Sequence, residues 1–115
     1  MAKRASKEEE REMRLLIFKE DEWWVAQCLE YDIAAQAKTL NDVQYEIQRV
    51  LVGRMFVASQ FKIEPFEDVP PAPAWYKELL NGPIRAVKME LTPIKDIPVE
   101  IPQAYSLPKT ALLVA

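Results

Sequence analysis

Short apolar runs open the folded part of the chain, and a long periodic one follows. Met13 to Lys19 is apolar and rich in β-branched and aromatic side chains, the pattern of a buried strand. Glu20-Asp21-Glu22 breaks it with a charged turn. Trp23 to Leu29 forms a second such run, near enough to make the pair a hairpin. After Tyr31-Asp32, the stretch from Ile33 to Lys38 reads as a third strand. It places Ile33, Ala35 and Ala37 on one face and Gln36 and Lys38 on the other. Small alanines on that face let a helix pack close.

Thr39 is a good N-cap for such a helix, and Asp42 at the third helical position suits both the capping box and the helix dipole. The helix is expected to run to about Gln60. Val43, Ile47, Val50, Leu51, Met55 and Ala58 recur at three- and four-residue steps as its core-facing stripe. Tyr45, Val52 and Phe56 lie on a different face. A helix in a two-layer domain needs one apolar stripe, so the second set calls for another partner: the C-terminal segment or a second copy of the chain.

Pro65, Pro70, Pro71 and Pro73 mark a connection that is not helical throughout. Ala74 to Leu80 reads as a short helix between Pro73 and a capping Gly82, with Trp75 and Tyr76 packing onto the sheet. Ile84 to Leu91 alternates as a half-buried fourth strand. Beyond Thr92, prolines at 93, 98, 102 and 108 forbid a helix, yet Ile97, Val99 and Ile101 alternate and the chain ends on apolar residues. Prolines confine such a segment to an edge strand or an extended wrap. Three regions follow: a mobile charged arm over 1–12, an α+β domain over 13–91, and an extended C-terminal arm over 92–115. The arm is expected to lie on its own or a neighbouring subunit, giving a homo-oligomer of even order. Its interface would comprise Tyr45, Val52, Phe56, Ile97, Val99 and Ile101.

Composition narrows the chemistry. The chain has no histidine, one cysteine and two glycines. His-based triads, His-ligated zinc and thiolate clusters are thereby excluded, and so are glycine-rich phosphate loops. Fifteen Lys and Arg against eighteen Asp and Glu give a net charge of −3, which argues against a general phosphate-backbone binder. The lone Cys28 fits a reducing compartment, and no apolar run is long enough to span a membrane. A cytoplasmic protein with no cofactor and no metal is the expectation.

The order of strands and capped helix matches a known pattern. Phe18-Lys19-Glu20-Asp21-Glu22-Trp23-Trp24-Val25-Ala26, then Cys28-Leu29-Glu30, then Thr39-Leu40-Asn41-Asp42-Val43 together resemble the HicB-like antitoxin family over residues 15 to about 60. The resemblance implies a partial RNase H-like fold: a three-stranded antiparallel meander, a long helix, a short helix and a fourth strand. It also implies a small basic partner, a HicA-type toxin, held by a non-catalytic protein-binding module. Residues 61 to 115 carry no helix-turn-helix or ribbon-helix-helix, so direct nucleic-acid binding is not expected.

Trp23 and Trp24 are the candidate partner-binding residues. Adjacent strand residues point to opposite faces, so one of the two leaves the core unless a second layer covers it. The second functional reading is a stand-alone oligomeric structural or small-ligand-binding protein. A third is a metal-dependent nuclease built on Glu20, Asp21, Glu22, Glu30 and Asp32, although acidic residues are ordinary in solvent turns.

Overall fold

A strand that is apolar on both faces needs a layer on each, and Leu15, Leu16 and Ile17 are all fully buried. The computed structural model, which describes residues 12–87 and 109–115, supplies both layers. The elements are β1 (Glu12–Glu20), β2 (Trp23–Cys28), β3 (Ala34–Ala37), α1 (Leu40–Phe61), a 3₁₀ helix (Ala74–Asn81), β4 (Arg85–Val87) and β5 (Lys109–Val114). They build an α+β fold with one five-stranded mixed sheet, in the order β3-β2-β1-β5-β4.

β1 and β2 pair antiparallel from Leu15↔Cys28 to Glu20↔Trp23, leaving Asp21 and Glu22 as the two-residue turn. Asp21 takes a positive φ of 56°, which a short polar side chain tolerates better than most. β2 and β3 are antiparallel as well, so the first three strands form a meander. β1 holds β5 in parallel on its other side, from Glu12↔Lys109 to Ile17↔Val114, and β4 closes that edge antiparallel to β5.

α1 starts where the sequence indicates. Thr39 is extended, and its Oγ1 accepts from the Asp42 N–H at 3.0 Å. The helix ends at Lys62, whose left-handed backbone lets its N–H donate to the Ala58 carbonyl. Val43, Ile47, Leu51 and Met55 pack on Met13, Leu15, Ile17, Ala26, Cys28, Ala37 and Leu112. The opposite face is covered by the 3₁₀ helix and its flanks. There Leu16, Leu29 and Ala72 are buried against Phe18, Tyr76, Leu79, Leu80, Ile84 and Leu113.

Several expectations need correction. Glu12, placed in the N-terminal arm, is the first residue of β1; residues 1–11 lie outside the described ones. The sheet has a fifth strand, β5, which lies between β1 and β4. The last residues of the supposed extended C-terminal arm, Lys109–Val114, are that interior strand. Pro108 is the final proline, so every position from Lys109 onward keeps the N–H an interior strand requires. Residues 88–108, with Ile97, Val99 and Ile101, lie outside the described residues. Val50, assigned to the core stripe, is exposed, and Gln48 is buried instead. The short helix is 3₁₀ rather than α, and Gly82 caps it through its N–H to the Leu79 carbonyl at an ordinary negative φ. Among the described residues no helix is long and apolar enough to cross a membrane.

If β5 is core, truncating Leu112 must hurt more than losing a surface cap. Leu112→Ala is expected to cost about 2–5 kcal/mol and Thr39→Ala about 1 kcal/mol, read as shifts of urea midpoints at constant m. A Leu112→Ala loss no larger than that of the cap contradicts the interior placement.

Candidate protein-binding surface

The pleat and the register decide where each aromatic side chain goes. Trp24 pairs with Lys19 and Ala37 and points to the α1 side, where it is half-buried against the main core. The Lys19 ammonium sits 5.8 Å from its ring centroid. Trp23 pairs with Glu20 and points to the other face, where it stays 38% exposed. The two tryptophans singled out from the sequence are therefore divided: Trp24 is a core residue and Trp23 a surface one.

Trp23 is held in place rather than left to swing. The Lys38 ammonium lies 4.0 Å from its ring centroid and 3.2 Å from a Glu22 carboxylate oxygen. The lysine of this cation–π contact and the acid it pairs with are both exposed, so the arrangement orients the indole more than it stabilises the fold. In the next row of the same face stand Phe18 and Val25, both half-buried. Phe18 meets the Tyr76 ring at 6.1 Å, and Tyr76 stacks on Trp75 at 3.7 Å.

Trp75 is 54% exposed, so it does not pack onto the sheet as the sequence suggests; Tyr76 does. A 3₁₀ turn rotates each successive residue by about 120°, which sends neighbours in different directions. The available signal was the Pro73 start followed by two adjacent aromatics, only one of which a single-turn face can bury.

The rim of this face is acidic. Glu20, Asp21, Glu22 and Asp32 are all exposed. Burial first, and then the charges of Asp32 and Glu20, push the Tyr76 hydroxyl above the usual tyrosine range. Asp32 is fixed by the buried Gln27, whose amide donates to Asp32 Oδ1 at 3.0 Å and to the Cys28 carbonyl at 2.9 Å. The Asp32 N–H donates to the Pro70 carbonyl, and the Ala72 N–H to that of Leu29, strapping the proline-rich connection along the β2–β3 loop.

The remaining carboxylate of the nuclease reading is also structural. Glu30 accepts from the Arg14 backbone N–H at 2.6 Å and from Arg14 Nε at 2.7 Å. Among the described residues, no three cysteine, aspartate or glutamate side chains are gathered closely enough to hold a metal ion. This face thus combines exposed aromatic rings with an acidic border.

On α1, Tyr45, Val52 and Phe56 are half-buried. A third apolar set was not identified as such from the sequence. Val50, Val57, Phe61 and Ile63 are exposed, and a cleft of about 410 Å³ lies among Val50, Gly53, Arg54, Val57, Ile63 and Pro65. Comparison with protein-family models, curated proteins and solved structures gives no match for this chain.

Cys28 belongs to the core, not to either surface. Burial pushes its thiol above the ordinary 9.0, outweighing the opposing backbone hydrogen bonds from Tyr31 and Glu30. Its neutral form stabilises the fold in full below the unfolded thiol's pKa, and that contribution is lost as pH rises through the folded value. Native protein at pH 8 is therefore expected to resist a thiol-specific reagent, with full labelling only in denaturant. Equal rates in the two states contradict this.

Proposed function

We propose that this chain is a non-catalytic protein-binding module, similar in role to a HicB-like antitoxin, that holds a small basic protein on the sheet face bearing Trp23. The observation that carries this reading is the exposed Trp23, clamped by Lys38 and Glu22 in a border of Glu20, Asp21 and Asp32. Rigid aromatic side chains supply much of the energy at protein interfaces, because they bury large areas at little conformational cost. An acidic rim selects a basic partner, speeds encounter and repels acidic proteins. The nearby Trp75, stacked on Tyr76, adds a second aromatic anchor to the same side of the sheet.

A HicA-type toxin has the required chemistry, since a small basic RNA-binding protein would be neutralised by a surface that covers its basic face. The meander, the Thr39 cap and the long helix are the parts of the fold that support the likeness.

The test is affinity capture from the native host at moderate salt, comparing the full chain with Trp23→Ala and with the triple charge reversal of Glu20, Asp21 and Glu22 to lysine. Wild type is expected to retain one small basic protein near one to one. Each variant should lose it by at least about thirty-fold, the size of a hot-spot effect, while keeping its thermal melting. Capture of no basic protein, or of one indifferent to both changes, rejects the reading.

A further inference from the structure

The α1 side presents a different kind of surface. Val50, Gly53, Arg54 and Val57 stand at i, i+3, i+4 and i+7 of one helix, the four positions that form a hole for a side chain from a facing helix. They border the cleft, and Ile63 and Pro65 wall its other side. Arg54 is fixed there by its Nε, which donates to the Pro65 carbonyl at 2.8 Å, so its stem is part of the wall. Gly53 has no side chain to fill the floor.

The same stripe also carries a knob. Val50, Arg54, Val57 and Phe61 follow one another at steps of four, three and four, the spacing of a helix-pairing seam. Phe61 is the most exposed large apolar residue described, at 72%, and Val57 between knob and hole is 51% exposed. Phe61 lies as far beyond Val57 as the centre of the hole lies before it. A two-fold axis through Val57 therefore seats the Phe61 of each copy in the hole of the other. That is the self-complementarity a closed dimer requires.

We infer that two copies of this chain associate through antiparallel α1 helices, with Phe61 of each filling the Val50–Gly53–Arg54–Val57 hole of its partner. A phenyl ring suits this hole better than an aliphatic side chain, because the Arg54 guanidinium offers a cation for its face. The two helices overlap over residues 53–61, roughly 13 Å, in a strip one helix wide. This is less than the ~800 Å² per partner of a standard interface, so the dimer should form at micromolar rather than nanomolar concentration. The surface is separate from the Trp23 face, so a dimer leaves both Trp23 faces free. It also differs from the interface expected from the sequence, which combined Tyr45, Val52 and Phe56 with the C-terminal segment.

Sedimentation of the full chain from about 1 to 200 µM brackets the expected association. Wild type should pass from monomer to dimer. Phe61→Asp removes the knob, and Gly53→Leu fills the hole while favouring the helix; each should raise the dissociation constant at least about thirty-fold. As a positive test, Val57→Cys sits on the axis and should form a disulfide-linked dimer under mild oxidation, since only facing residues there bring Cα atoms within about 7 Å. The buried Cys28 does not compete. A wild-type chain monomeric throughout, a dimer that survives both substitutions, or a Val57→Cys variant that fails to cross-link overturns the inference.

Discussion

Everything in this fold depends on β1 having both of its edges and both of its faces occupied. β2 and β5 take its backbone hydrogen bonds, α1 covers Met13, Leu15 and Ile17, and the 3₁₀ segment covers Leu16 and Phe18. A strand so enclosed must be apolar at consecutive positions, and Leu15-Leu16-Ile17 is. The two covering layers are unequal. Among the described residues, a 22-residue α-helix screens one face and an eight-residue 3₁₀ helix with its flanks screens the other. The thinner layer leaves Trp23 and Trp75 at the surface. The longer helix extends far enough to leave Val57 and Phe61 there too. Both candidate interaction surfaces thus follow from a mismatch between the sheet and its covers.

Polar groups set the geometry where the apolar layers stop. Gln27 is buried in an otherwise apolar strand because it holds the 28–33 loop through Cys28 and Asp32. A buried amide left unpaired is costly, so this loop has one satisfied arrangement. Arg14, on the same sheet face as Gln27, pairs with Glu30 at the same end of the hairpin, partly in solvent, where the pair orients more than it stabilises. Tyr31 stacked on Phe66 at 4.1 Å then carries that order to the segment beyond α1.

Local signals were legible and distant ones were not. The hairpin, the third strand and the Thr39-capped helix depend on turn chemistry and side-chain period within a few residues, and these stand in the structure. Lys109–Val114 was not recognised as a strand because four prolines precede it and its partner lies at the other end of the chain. No local pattern reveals a parallel pairing. The assignment of Val50 failed for a geometric reason: at about 100° per residue it falls at the margin of the helix sector that buries Val43, Ile47, Leu51, Met55 and Ala58, and the buried sector turns instead toward Gln48. At the candidate surface, the alternation rule separated Trp23 from Trp24 in principle, and only register could say which faced out. Trp75 was misjudged because helical reasoning does not hold for a 3₁₀ turn.

The parallel pairing of β1 with β5 also governs how the chain comes to exist. Leu15 waits for Leu112, about a hundred residues later, so contacts of high sequence separation close the sheet. At ribosomal rates that interval is on the order of 5–20 s. Throughout it, the meander and α1 are already available while one edge of the future central strand has no partner. An open, apolar edge is a template for any other extended chain. The nascent protein therefore passes through a stage in which its most buried strand is its most adhesive one, and the terminal strand acts as the latch that ends that exposure.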